Sequence, residues 1–446
     1  MKSAQPQRAA LIVQAMADRP DTVILPAVLQ AAAQGPKPVR LAAIGALERV
    51  GDASCVSKLL EVAQEEDADL SQAARTTLAE IPGEKIDAQV VALLPDAQGK
   101  TYPLLIELVG TRRIAAVPML LKALDHADAE VRGAALTSLG ETVTLEDLNA
   151  LTSRVVSPKH QQDTPIAQRA LRAASVRMPD REACAEQLAE TINKSKSAAT
   201  KAAILEILGE MGGTSALATV SKAAQSDDDQ LQDVSSQLLG KWMTADAAPV
   251  LLDLAKNESA DKYHVRFLRG YIRIARQFDL PEDQRAEMCQ KAFDTARRSG
   301  ERNLVLDVLQ RYPSIENLKL AIAALSQPEV KDNAYQTALT IAQKLDDKGD
   351  EVKALLAKAG IDKVKLEIVK AEYGAGDNRK DVTEELQKQA RDYPLILLSK
   401  RSYNGSFGGD PAPGAPKDLK VEYRINGKPG AATYPEDAVI VLPIPE

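Results

Sequence analysis

The stretch PVRLAAIGALERVGD at residues 38–52 sets the fold, because its pattern of small and apolar residues returns about every thirty residues until about residue 345. A second amphipathic run follows each copy, as in SKLLEVAQ at 57–64. This period is typical of stacked helical hairpins, and we predict a right-handed α-solenoid of about ten hairpins. The strongest apolar position of each copy is Val13, Leu47, Leu78, Leu108, Leu139, Val176, Leu208, Leu239, Ile272, Leu309 or Ile341.

Glycines stand where the helices of this array are predicted to end. Gly51, Gly83, Gly140 and the pair Gly212 and Gly213 each follow an apolar periodic run. Glycine adopts the left-handed conformation of a helix C-cap at little cost, so we interpret all five as helix ends.

Composition excludes several classes of protein. At 446 residues the chain exceeds the size of one hydrophobic core, and aromatic residues make up only 3% of it. A net charge of -7 argues against a protein whose main role is to neutralise a phosphate backbone. Cys55, Cys184 and Cys289 are far apart and odd in number, so we expect three buried thiols and no disulfide framework.

The sequence shows no apolar run long enough for a transmembrane helix, and its N-terminus, MKSAQPQRAALIVQAMADRP, lacks the apolar core of a signal peptide. We therefore expect a soluble protein whose compartment the sequence does not specify. The array opens in mid-repeat without a polar cap, which is typical of a piece of a longer protein.

The recurring phrase V-R-x-x-A-x-x-A-L-x-x-x-G is complete at Val39–Gly51 and shortened at Val131–Gly140. It resembles bacterial HEAT repeats of the phycobilisome-lyase-like type, over residues 6–357. Such proteins are mostly scaffolds, and a minority are bilin lyases or bind DNA in the concave groove. The resemblance implies a non-catalytic scaffold that binds a protein partner on its concave surface, with a nucleic-acid-binding solenoid as one alternative.

Strand patterns replace the helical pattern near residue 361, so we predict an array at 1–360 and a small β-rich, sandwich-like domain at 361–446. The expected strands are KLEIVKAEY at 365–373, PLILLSK at 394–400, LKVEYRI at 419–425 and AVIVLPI at 438–444, with one helix at 381–392. This region resembles the C-terminal domain of unknown function of DnaJ-like proteins of subfamily C member 11. The resemblance implies an interaction module with no catalytic residues to transfer.

Four arginines form the first candidate site. Arg266, Arg269, Arg273 and Arg276 follow a 3, 4, 3 spacing that stacks their side chains on one helix face. On a concave surface this arginine ridge would bind carboxylates or phosphates of a partner. The alternative is a solvated face that pairs with Glu282, Asp283 and Glu287. A looser basic cluster contains Arg154, Arg169, Arg172 and Arg177.

Three aromatic residues of the C-terminal region form the second candidate site. Tyr403, Phe407 and Tyr423 are candidates for a surface that stacks on sugars or docks a peptide, because aromatic residues are rare elsewhere in the chain. This surface is the basis of a second alternative, a carbohydrate-linked accessory module. A plain hairpin connection at YNGSFGGDPAPG, residues 403–414, explains the same residues.

We identify no catalytic, cofactor or metal site in the sequence. His126, His160 and His264 are isolated, no Cys-x-x-Cys or His-Glu-x-x-His motif occurs, and no Gly-x-Ser-x-Gly elbow is present. We therefore expect a protein that is not an enzyme and needs no cofactor.

Overall fold

The structure is a computed structural model that describes residues 5–19, 23–345, 349–400 and 402–445. Contacts divide the chain into two compact units, Met1–Leu238 and Leu239–Glu446. The boundary at residue 360 that the sequence suggests therefore stays a prediction.

The first unit is a succession of helical hairpins. Its helices are α1 (Pro6–Ala17), α2 (Leu25–Ala33), α3 (Lys37–Val50), α4 (Cys55–Val62), α5 (Ala68–Glu80), α6 (Glu84–Leu93), α7 (Thr101–Thr111), α8 (Val117–Ala123), α9 (Ala129–Thr142), α10 (Leu148–Val156), α11 (Thr164–Arg177), α12 (Arg181–Lys194), α13 (Ala198–Met211) and α14 (Thr214–Ala223). Helix α15 (Asp229–Gly240) includes the last residues of this unit and the first residues of the next. The odd-numbered helices carry the recurring phrase and pack side by side, as α1, α3 and α5 do.

The second unit continues the hairpins and then changes to strands. It contains α16 (Ala248–Asn257), α17 (Asp261–Gln277), α18 (Glu282–Thr295), α19 (Ser299–Arg311), α20 (Ile315–Ala323), α21 (Lys331–Lys344) and α22 (Gly349–Lys358). After these come β1 (Leu366–Ala375), β2 (Asn378–Asp381), α23 (Thr383–Gln389), β3 (Leu395–Ile396), α24 (Tyr403–Ser406), β4 (Asp418–Ile425), β5 (Lys428–Pro435) and β6 (Ile440–Val441). The chain is thus mainly α, an α-solenoid of HEAT-like hairpins followed by a small β-rich region.

The arginine of the recurring phrase ties the two helices of a hairpin junction together. Arg40 donates from Nε to the carbonyl of Ala32, at the end of α2, at 2.8 Å. Arg132 donates to the carbonyl of Ala127 at 2.8 Å and forms an ion pair with Asp163 at 2.7 Å. The last carbonyls of a helix have no partner within that helix, and Arg40 satisfies one of them in α2. Arg132 instead binds carbonyls of the turn between α8 and α9. These bonds explain why the phrase contains a basic residue beside its apolar ones.

Close helix packing explains Gly140, which the sequence wrongly suggested as a helix end. Gly140 lies inside α9, and a Cβ atom there would stand 3.0 Å from the Cα atom of Ala170 on α11. Gly110 of α7 approaches Ser138 of α9 still more closely. Glycine therefore sets the distance between neighbouring odd-numbered helices at these two positions.

The prediction that Val176 is a core residue is also wrong. Most expected core residues, such as Leu139 and Leu208, have no accessible surface, but Val176 is 36% exposed. The buried positions of α11 include Leu171, Ala174 and Ser175. Successive helix residues lie about 100° apart, so this buried face leaves Val176 exposed.

The strands form a four-stranded antiparallel sheet in the order β2, β1, β4, β5 and a separate pair, β3 and β6. β4 buries alternate residues, and β4 and β5 join at Asn426–Gly427, both with positive φ, as a two-residue hairpin requires. The sequence missed β2 and β5, which have few branched apolar residues. Gln343 of α21 donates to the carbonyl of Leu395 at 3.0 Å, which links the helices of this unit to β3.

Candidate functional site

The arginine ridge lies on one face of α17 as predicted, but its four side chains differ in exposure. Arg269 and Arg276 are exposed, whereas Arg266 and Arg273 are half-buried. Arg266 lies 5.8 Å from the ring centre of Tyr263 on the same helix.

Arg273 caps another helix. Its Nε donates to the carbonyl of Gly240 at 3.0 Å, and Nη2 donates to the carbonyl of Trp242. Both carbonyls lie at the end of α15, where the helix dipole favours a positive charge. Its guanidinium also lies 5.7 Å from the ring centre of Phe278. Arg273 therefore serves the array itself.

The acids that compensate the ridge come from α19, one repeat onward. Arg269 lies 3.9 Å from the carboxylate of Glu301, which is buried. Burial raises the pKa of Asp307, and the charge of Arg276 acts in the opposite direction. The expected partner Glu287 instead pairs with Lys291 of its own helix at 2.6 Å.

Arg273 belongs to a series of basic residues that cap the equivalent helix one repeat earlier. Arg112 donates to the carbonyl of Ile81 at 2.7 Å, after α5. Arg177 donates to the carbonyl of Val143 at 2.8 Å, and Lys344 donates to a carbonyl near the end of α19 at 2.9 Å. The sequence signal is a basic residue near the C-terminal end of an odd-numbered helix, about thirty residues after the preceding helix end. The spacing of the arginines along one helix does not reveal these caps, because the carbonyls that they bind belong to the preceding repeat.

The aromatic candidates do not form an exposed surface, so this prediction is wrong. Tyr403, Phe407 and Tyr423 are 2%, 1% and 2% exposed and belong to the core of the β region. The hydroxyl groups of Tyr403 and Tyr423 donate to the carbonyls of Ala438 and Pro443 at 2.7 and 2.6 Å. These rings pack with aliphatic side chains of the same core, such as Leu386 and Ile440.

A polar network fixes the loop that contains GGDPAPG. Tyr373 donates from its hydroxyl to Glu436 at 2.7 Å, and Asn404 donates to the same oxygen at 3.0 Å. Lys417, which is buried, lies 3.2 Å from the other oxygen of Glu436 and 3.3 Å from Asp410. The Tyr373 hydrogen bond and then Lys417 hold the pKa of Glu436 below its ordinary value. These groups satisfy one another, which is the pattern of a structural network.

The odd-numbered helices α7, α9 and α11 enclose a groove of about 980 Å³. Helix α9 forms its floor, because Ala129, Gly133 and Thr137 place short side chains or none at successive turns. Ile166 and Arg169 of α11 form one wall. In the sequence, the floor of this groove corresponds to the small residues Ala129, Gly133 and Thr137, at a spacing of four on α9.

The charges along the groove are partly paired. Arg113 forms an ion pair with Glu141 at 3.4 Å. In the part of the chain that the structure describes, the exposed side chains of Arg169 and Glu130 make no hydrogen bond or ion pair. In the loose basic cluster, Arg154 pairs with Asp125, Arg172 pairs with Glu210 and Arg177 caps α9. Arg169 is thus the member of that cluster that offers a charge to another molecule.

The three cysteines are buried and unpaired, and burial raises the pKa of Cys289 to about 12. Such thiols are unreactive at neutral pH. Within the described ranges, no group of three or more histidine, cysteine or acidic side chains is arranged to hold a metal ion. Nor does any helix of the described residues have the length and hydropathy that crossing a membrane requires.

No model of a protein family matches the sequence, and no curated protein matches it. Among solved structures, a Kap121p mutant shares 11% identity over 75% of this chain and 43% of its own, with a TM-score of 0.40. Human deoxyhypusine hydroxylase in complex with glycerol shares 15% identity over 65% of this chain and 97% of its own, with a TM-score of 0.24. The CpcE and CpcF complex of phycocyanin lyase from Nostoc sp. shares 15% identity over 62% of this chain and 96% of the matched chain, with a TM-score of 0.22. The chain thus spans less than half of the Kap121p chain, and similarity at this level does not indicate a partner or an activity.

Proposed function

We propose that the chain is a non-catalytic scaffold that binds a segment of a protein partner in the groove along α9. The groove carries this proposal because it combines a floor of small residues with two opposite charges, Glu130 and Arg169, that have no partner of their own among the described residues. From Ala129 to Glu141 the floor is about 18 Å long at 1.5 Å per residue, which accommodates about five residues of extended chain.

The arginine ridge contributes less to this proposal than its spacing suggests. Arg269 exposes 58% of its side chain, and Arg276 is exposed as well. We keep these two as contacts for acidic groups of a partner. Arg273 has a structural role, since its donors face the end of α15.

The two alternative functions lose the features on which they depended. A carbohydrate-binding module needed exposed aromatic rings, and Tyr403, Phe407 and Tyr423 are buried. A nucleic-acid-binding solenoid needed free arginines along one groove, and Arg273 and Arg177 cap helices instead. Neither alternative is supported by a particular contact in the structure.

A matched pair of variants tests the groove. Thr137→Arg places a long cation on the floor of the groove, whereas Thr76→Arg makes the same change at an exposed position of α5. Both substitutions should change the free energy of unfolding by no more than about 0.5 kcal/mol. Pull-downs from cells that normally contain this chain should lose partners with Thr137→Arg and retain them with Thr76→Arg. Equal recovery with both variants would remove the groove as the binding site.

A further inference from the structure

Tyr271 of α17 is a buried tyrosine whose hydroxyl has no hydrogen-bond partner among the described residues. Only 3% of the side chain is exposed, and it lines an open groove of about 660 Å³. The hydroxyl is absent from the fully enclosed polar atoms that lack a partner, so it reaches the surface of this groove. A hydroxyl that faces an open groove and has no protein partner can donate a hydrogen bond to a group that enters the groove.

The groove lies between the even-numbered helices α16 and α18. Ala248, Leu252 and Met288 give it an apolar floor beside Tyr271. Leu252 is half-buried, so part of this floor contacts solvent. A floor of this kind suits one apolar side chain of an incoming segment.

The rim of this groove is acidic, and the acidity continues across α18. A second groove of about 480 Å³ lies between α18 and α20 and shares Glu287 with the first. Together the two grooves are lined by five carboxylates and three lysines. Lys291 and Lys319 are already paired, with Glu287 at 2.6 Å and Glu316 at 2.7 Å. The remaining carboxylates face solvent, and their potential attracts a positively charged partner.

We propose that this face of α16, α18 and α20 binds a basic segment of a partner protein, with an apolar side chain on Leu252 and Met288 and a backbone carbonyl that accepts from the Tyr271 hydroxyl. Helices in contact lie about 8 to 10 Å apart, so an extended segment that reaches both grooves crosses α18 in about three residues. Its basic side chains then lie near the exposed carboxylates that have no ion pair among the described residues, Asp246, Asp253 and Asp283. Burial raises the pKa of Tyr271, so the hydroxyl stays protonated and acts as the donor at neutral pH.

Selection of short random peptides on the full chain provides the probe, and a set of variants locates the binding site. Tyr271→Phe keeps the ring and removes only the hydroxyl, so the fold is retained. Tyr335→Phe is the matched control, because Tyr335 is a half-buried tyrosine of α21 outside both grooves. Leu252→Arg adds a positive charge to the floor.

We expect the selected peptides to be basic and to carry an apolar residue. Their affinity should fall about 3- to 10-fold with Tyr271→Phe, more than 10-fold with Leu252→Arg and not at all with Tyr335→Phe, because one hydrogen bond contributes a factor of this size. Peptides without basic residues, or equal affinity for Tyr271→Phe and wild type, would overturn the proposal. Peptides that respond to Thr137→Arg but not to Tyr271→Phe would support the α9 groove and overturn this inference, so the two proposals fail separately. A selection that enriches no peptide above background would also overturn it.

Discussion

Replacing Arg273 by alanine removes a charged donor from the carbonyls of Gly240 and Trp242. A hydrogen bond from a charged group contributes about 1.5 to 3 kcal/mol when it is well shielded from water. Arg273 is only half-buried, so water replaces part of each bond, and we expect a total loss of about 1.5 to 3 kcal/mol for the pair. With a urea m-value of about 2 kcal/mol/M, the unfolding midpoint should fall by about 1 M.

Trp242 makes this measurement direct. It is the single tryptophan of the chain, it is buried, and its own carbonyl accepts from Arg273. Its fluorescence in a urea titration reports the loss of structure where the cap acts. Arg269→Ala is the control, because the Arg269 side chain is 58% exposed and its contact with the buried Glu301, at 3.9 Å, is beyond hydrogen-bond distance, so its loss should cost at most about 1 kcal/mol. If Arg273→Ala and Arg269→Ala shift the midpoint equally, the capping role is refuted.

Three further changes test the packing of the array and the network of the β region. Leu139→Ala should cost about 2 to 5 kcal/mol in chemical denaturation, since its side chain has no accessible surface, and wild-type stability would contradict the repeat register. Gly110→Ala should lower the melting temperature, because its Cβ would stand 2.6 Å from the Cα of Ser138, whereas Gly45→Ala, with open space around it, should add about 0.5 to 1 kcal/mol. The lowered pKa of Glu436 contributes stability above the unfolded value of about 4.3 that is lost as pH falls through the folded value. Glu436→Gln should therefore weaken the dependence of the melting temperature on pH between about pH 5 and 3. A dependence equal to that of the wild type in this range would contradict the network.

Periodicity predicted the helical hairpins well because the buried positions repeat. The recurring apolar residues of α3, α5, α9 and α13 are buried as expected. The prediction failed at α11, where Val176 belongs to the apolar pattern but is exposed. Alternation likewise indicated β1 and β4, but only two residues each of the runs at 394–400 and 438–444 form strands. Apolar runs show what is buried, while strand length depends on pairing that the sequence does not display.

The candidate sites were predicted less well because burial and contact partners decide what a side chain does. The spacing of the four arginines was correct, yet Arg273 reaches a helix end more than thirty residues earlier in the chain. The aromatic residues suggested a surface because they are rare, but the fold buries them among the aliphatic side chains of the β-region core. In each case the inference from residue type needed the neighbour that only the fold supplies.

The basic residues of this array divide by a physical rule. A cation near the C-terminal end of an odd-numbered helix can reach the unpaired carbonyls of the preceding repeat, as Arg112 and Arg177 do, and its charge is then used within the array. Arg276, in the last turn of α17, is an exception and stays exposed. Arg169 stands two turns before the end of α11, beyond reach of those carbonyls, and keeps its charge exposed beside the floor of small residues on α9. We therefore propose that the groove of α9, where Arg169 keeps its charge exposed, contributes more to binding an acidic group of a partner than the ridge of α17 does.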